Sequence, residues 1–199
     1  MMKKIIILGL VILLVVGCSS KRQVTRLDPE STTDLSGKWN DTDSRLVAEE
    51  MITDALNRPW LINFVEQNGE RPVVTVGRIR NNSSEHIDIE TFTTDFEREL
   101  LNSGKVRFVA NKFQREDVRD ERLDQDEWAS AETRKRLREE LGADFILLGA
   151  IKSITDQIEG KMTISYQTDL ELVNIETNEK VWIGNKVIKK GISQGKTKW

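Results

Sequence analysis

Few residues in this chain of 199 have side chains suited to covalent chemistry. There is one histidine, His86, and one cysteine, Cys18. No metal-ligand spacing surrounds His86, and the sequence holds no HExxH, no GxSxG and no glycine-rich phosphate loop. His86 follows a polar turn at the start of a helix, where its expected role is a local hydrogen bond. Carboxylates could serve as acid and base, but with 33 Asp and Glu any such pair is expected by chance. The chain therefore reads as no enzyme, with no cofactor, no metal and no small-molecule substrate.

Cys18 is the exception. Val15-Val16-Gly17-Cys18 matches the lipobox of bacterial lipoproteins: small residues precede a cleavage point and a Cys directly follows an apolar run. Residues 1–17 read as the signal peptide, with Lys3-Lys4 as the positive start and Ile5 opening an apolar stretch. That stretch runs for about 12 residues, short of the ~20 that span a bilayer. The expected chemistry is transfer of diacylglycerol to the Cys18 thiol, cleavage between Gly17 and Cys18, and N-acylation of the freed amine (palmitate is a typical chain). One acyl chain holds a protein only marginally, whereas two or more hold it stably. Ser19 and Ser20 follow, without the Asp that retains such proteins at an inner membrane, so the expected location is the outer membrane, facing the periplasm. A lone Cys also leaves no intrachain disulfide.

Charged residues make up 32% and hydrophobic ones 38%, enough for one core under an ionic surface, and the net charge is -3. Loss of Lys3 and Lys4 with the leader makes it -5. A mildly acidic chain without a dense basic stripe is a poor candidate for nucleic-acid binding. Residues 18–40 are polar and lack apolar periodicity, so they read as a lipid-anchored flexible linker reaching ~75–80 Å at most when fully extended. Residues 41–199 read as the globular domain.

Within it, Leu46, Val47, Met51, Ile52, Ala55 and Leu56 recur at helical spacing until Pro59, predicting an amphipathic helix on a sheet. Residues 72–79 predict a strand. Ile89, Phe92, Phe96 and Leu100 mark one face of a second helix, stopped by Asn102-Ser103-Gly104, and a short strand follows at 105–109. Residues 114–140 are dense in charge of both signs and read as two solvated helices laced with weak ion pairs. The second is expected near 130–142, with Ala131, Leu137 and Leu141 inward. Trp39, Trp60, Trp128 and Trp182 read as core or core-edge residues.

Residues 141–190 supply the organising sheet. An apolar run at 145–151 predicts a buried strand. Met162, Ile164, Tyr166, Leu170 and Leu172 alternate with Thr163, Ser165, Gln167, Asp169 and Glu171, predicting a strand with one buried face. Glu176-Thr177-Asn178-Glu179 turns it into a last strand at 180–184, with Asn178 suited to φ > 0. The polar face of 163–171 is either a binding surface or covered by the first helix. The fold class is thus α/β (α+β), a mixed sheet of four to five strands with helices packed on it and a C-terminal β-hairpin.

Several runs in this order resemble the penicillin-binding protein activator family of lipoproteins, the LpoB-like family. They are Pro72-Val73-Val74-Thr75-Val76-Gly77, Asn82-Ser83-Ser84-Glu85-His86-Ile87-Asp88, Ser103-Gly104-Lys105-Val106-Arg107-Phe108-Val109, Gly142-Ala143-Asp144-Phe145-Ile146-Leu147 and Glu179-Lys180-Val181-Trp182. None is catalytic. The resemblance implies a TolB amino-terminal-domain or CsgG-like fold. It also implies an outer-membrane lipoprotein that binds and activates a bifunctional peptidoglycan synthase, a class A penicillin-binding protein, and so regulates cell-wall synthesis and cell shape. The tether here is shorter and poorer in Pro than the linker of the enteric member. The alternative is a CsgG-like, secretion-associated envelope lipoprotein, although a membrane barrel needs lipid-facing strands of ~9–11 residues beyond those the core uses.

Overall fold

A computed structural model describes residues 23–28, 31–130, 132–133 and 140–193. The leader at 1–17, Cys18 and most of the second charged helix, with Ala131 and Leu137, lie outside the described residues. Of that helix's expected ends, Ser130, Leu141 and Gly142 are non-helical, and Leu141 is exposed rather than inward. The chain divides into two compact units, Met1–Ser31 and Thr32–Trp199; all that follows concerns the second.

Asn40 caps α1 (Asp41–Leu56): its side chain accepts from the Asp43 amide while the Asp43 carboxylate accepts from the Asn40 amide. Val47, Ala48, Met51, Ile52, Ala55 and Leu56 are buried along its inner face, whereas Leu46, expected with them, falls off that face and is exposed. Pro59 does not end the helical region as the sequence suggested. It sits in the first turn of α2 (Pro59–Asn68), where its missing N–H costs nothing. Trp60 and Leu61 are buried there, and the Trp60 indole donates to the Ala55 carbonyl at 2.7 Å. Gly69, at φ 72, closes α2.

β1 (Val73–Asn82) leads to α3 (Ile89–Asn102), capped by Asp88 and burying Phe92, Phe96 and Leu100 as their spacing predicts. β2 (Arg107–Phe108) is a two-residue strand. α4 (Lys112–Trp128) buries none of its residues, as its mixed charges imply. Trp128, however, is 75% exposed, so it is not a core residue.

β3 (Phe145–Ile158), β4 (Lys161–Asn174) and β5 (Lys180–Ser193) are each 14 residues long. β3 and β5 therefore run well beyond the apolar segments that mark them in sequence. The sheet order is β2-β1-β3-β4-β5, parallel across the first three strands and antiparallel across the last three. This is the expected mixed sheet with a terminal hairpin. Asn178 turns it at φ 61.

The core lies between one sheet face and α1, α2 and α3. Phe145, Leu147 and Ile151 of β3, Leu170 and Leu172 of β4 and Trp182 of β5 point into it. Trp60 and Phe64 meet Phe145 edge-on, at centroid distances of 5.0 and 5.4 Å.

Candidate functional site

Strand alternation places successive side chains on opposite faces, so a core face built from 145, 147 and 151 leaves 148, 150, 152, 154 and 158 on the other. Among the described residues no helix covers that second face around β4 and β5. α1 lies on the core face, so the polar side of residues 163–171 is open. The exposed large apolar residues of the three long strands gather on this open face: Ile154 (72% exposed), Ile158, Ile183 (71%) and Val187.

Its charges are sorted. Asp169 accepts from Lys152 Nζ at 2.8 Å, Gln167 Nε2 at 2.9 Å and Asn185 Nδ2 at 2.6 Å. Partial burial works against the Asp169 carboxylate, but these donors outweigh it and hold its pKa below the ordinary range. Glu171 is paired with Lys180 at 2.5 Å. Arg78 and Arg80 of β1 are exposed and make no ion pair or side-chain hydrogen bond among the described residues. With the face's central acids neutralised, these two guanidiniums join the exposed Lys161 and Lys189, against Asp156, in giving it a surplus of positive charge. They border a shallow depression of about 280 Å³, floored by Leu148, Gly149 and Ala150 and closed by Ile183. A register shift between Val76 and Ile79 sets both arginines beside it. Cations beside apolar side chains on an uncovered sheet suit recognition of a protein surface that carries carboxylates.

A second cluster lies on the core face at the β5 end. Lys190, only 8% exposed, contacts Asp43 at 2.5 Å and donates to Asp34 at 2.6 Å and to the Lys38 carbonyl at 2.9 Å. Burial opposes the ammonium, but the two carboxylates more than compensate and raise its pKa. Burial pushes the Asp43 carboxyl up, against the pull of Lys190 and the Asn40 amide. Tyr166 donates to Glu85 at 2.7 Å, and burial followed by that bond raises its pKa. Trp39 meets Phe92 and Tyr166 edge-on and donates from its indole to Ser44 Oγ at 2.8 Å. Residues 33–40 are thus folded onto the domain, although their composition reads as linker. Polar composition does not reveal partners that lie more than 150 positions away.

Of the residues singled out in sequence, Gly17 and Cys18 lie outside the described residues. His86 is exposed and its ring makes no hydrogen bond among them, so the local bond expected of it does not form. Arg78, Arg80 and Lys190 were not singled out. The signal available for Lys190 was the even-numbered parity begun by Trp182, which turns a lysine inward if the strand is long enough.

The family model described as peptidoglycan-synthase activator LpoB matches residues 43–188. The chain is similar to the solved LpoB C-terminal domain from Salmonella enterica at 16% identity, over 65% of this chain and 93% of that one (TM-score 0.32). It is similar to that domain from Escherichia coli at 16% identity, over 68% and 94% (TM-score 0.35). It is also similar to lipoprotein GNA1162 from Neisseria meningitidis at 17% identity, over 60% and 83% (TM-score 0.36). No curated protein matches the chain.

Proposed function

Because this chain belongs to the LpoB family of peptidoglycan-synthase activators, whose members regulate a synthase rather than act as enzymes, we propose that it works by docking. In this reading residues 1–17 are cleaved and Cys18 carries S-diacylglycerol and an N-acyl chain. The domain then hangs from the outer membrane into the periplasm and binds a class A penicillin-binding protein through its open sheet face. Binding stimulates glycan polymerisation and crosslinking. The observation that carries the reading is the match over residues 43–188, which takes in most of α1, β1 to β4, the first part of β5 and both arginines of the open face. Exposed apolar residues set among surplus cations support the choice of face.

The test is direct binding of the full-length protein, in detergent, to a class A penicillin-binding protein, together with the rate of glycan polymerisation. The pair Arg78→Glu and Arg80→Glu, and separately Ile183→Asp, should weaken binding at least about tenfold, as expected for central interface residues. Glu66→Lys on exposed α2 should leave it unchanged. A synthase whose rate does not respond to the wild-type protein would sink the proposal.

A further inference from the structure

Residues 34–39 form a loop gripped at several points. Lys190 holds the Asp34 carboxylate and the Lys38 carbonyl. The Tyr166 hydroxyl reaches the Gly37 carbonyl at 3.4 Å, and Trp39 wedges between Phe92 and Tyr166. Gly37 makes the closure possible. At φ +71 it adopts a conformation that L side chains rarely take, and a Cβ there would stand 2.4 Å from Ile192 Cδ1.

We infer that this loop is a releasable strap, a reserve of length in series with the tether, held on Lys190 and let out by pull between the membrane and a docked partner. The inference rests on the proposed Cys18 anchor for its function, though not for the strap itself. Its basis is that the gripped polar groups keep partners inside the domain when the strap leaves. Lys190 retains Asp43, which belongs to α1. Tyr166 retains Glu85 at 2.7 Å, its stronger bond. Ser44 Oγ retains the Asn40 carbonyl at 3.4 Å. Asp34 is half exposed and passes into water. Release therefore strands no buried charge, the usual reason why such a contact cannot open.

The loop also has a defined end. Asn40 caps α1 through Asp43, within the helix, so opening stops at the cap and spares the fold. Freed to full extension, residues 34–39 add up to about 20 Å to the reach. For a tether this short, that gain is a substantial fraction of the whole.

The test pulls on the chain from Cys18 prepared without acylation, so that its thiol is free, held by that thiol and by an Ile158→Cys handle at the exposed β3–β4 turn, in single-molecule force spectroscopy. Hydrogen exchange is followed on the same chain. Wild type should show a reversible low-force extension of up to about 20 Å before the domain unfolds. Its residues 35–39 should exchange about tenfold or more slower than residues 23–28. The pair Asp34→Asn and Gly37→Val should lose both the step and the protection while the core stays protected; Asp34→Asn alone should lower the force of the step. Global unfolding as the first event in wild type, or no protection at 35–39, would overturn the strap. Full-length protein that fails to float with phosphatidylethanolamine–phosphatidylglycerol vesicles would overturn the anchor, and with it the reserve, even if the step is present.

Discussion

Lys190 shows how one residue can serve two functions through its neighbours. On the inner face of β5 it meets Asp43 from α1, Asp34 and the Lys38 carbonyl from the strap, and lies near Tyr166 of β4 with its Glu85 partner. Replacing it with Met leaves the Asp43 carboxylate buried without its cation. Lys190→Met should therefore cost about 3 kcal/mol in urea unfolding, the low end for breaking a buried pair because Asp34 already faces water. Asp34→Asn, at the exposed end of the cluster, should cost under about 1 kcal/mol. The pH dependence follows from the directions of the shifts. The hydrogen bond from Lys190 lowers the Asp34 pKa below its ordinary 3.8, so its contribution is complete above 3.8 and is lost only as pH falls through the folded value. The raised Lys190 pKa gives a contribution complete below 10.5 that is lost as pH rises beyond it. Asp43 runs the other way: its raised pKa means that the ionised form costs stability and acidification relieves it. The strap should consequently hold across the neutral range, and exchange at residues 35–39 should show equal protection at pH 6 and pH 8 once corrected for intrinsic rates. Its release is mechanical, not titrated.

At the scale of elements, the three long strands and α4 stand at opposite ends of a range of stability. β4 is paired along its whole length on both sides and fills one face with Ile164, Tyr166, Leu170 and Leu172. α4 buries nothing and leaves Phe113, Leu123 and Trp128 exposed. Amides in β4 should exchange only on global unfolding, while those of α4 open locally and exchange far sooner. The pairing of β3 with β4 has one point without slack. A Cβ at Gly149 would lie 2.4 Å from Leu170 Cδ2 and 2.5 Å from the Asp169 carbonyl oxygen, which is backbone and cannot step aside. Gly149→Ala should cost about 1–3 kcal/mol by thermal unfolding, the range for forced overpacking. Ile154→Ser and Ile158→Ser, on the open extension of β3, should change stability by less than about 0.5 kcal/mol. Any loss of synthase binding by those two variants would then report contact, not folding.

For the molecule as a whole, the sheet separates two tasks. The strap and α1 occupy its core face, whereas Arg78, Arg80 and Ile183 look out from the other, so release of the strap leaves the proposed docking surface in place. Attraction resting on two exposed arginines is screened by salt. Binding to the synthase should therefore weaken from low to physiological ionic strength, and the Arg78→Glu, Arg80→Glu pair should lose most of that dependence. Cys18→Ser should move the protein out of the membrane fraction while leaving the isolated binding constant unchanged, because the proposed acylation would supply location and not contact.

The local chemistry of this protein is written in its sequence: a terminal Gly after α3, the alternation of β4 and the Asn178 turn each depend on residues a few positions apart. So did the absence of a catalytic motif, and the joint order of runs that marks the family. What lay beyond reach was set by pairing at long range. The outer half of β5 is polar and becomes a strand because β4 lies beside it. Only that pairing turns Lys190 inward, and only then does a linker-like stretch at 33–40 acquire partners. The open face is likewise a property of the sheet, since nothing in β1, β3 or β5 alone places two exposed arginines beside an isoleucine from another strand.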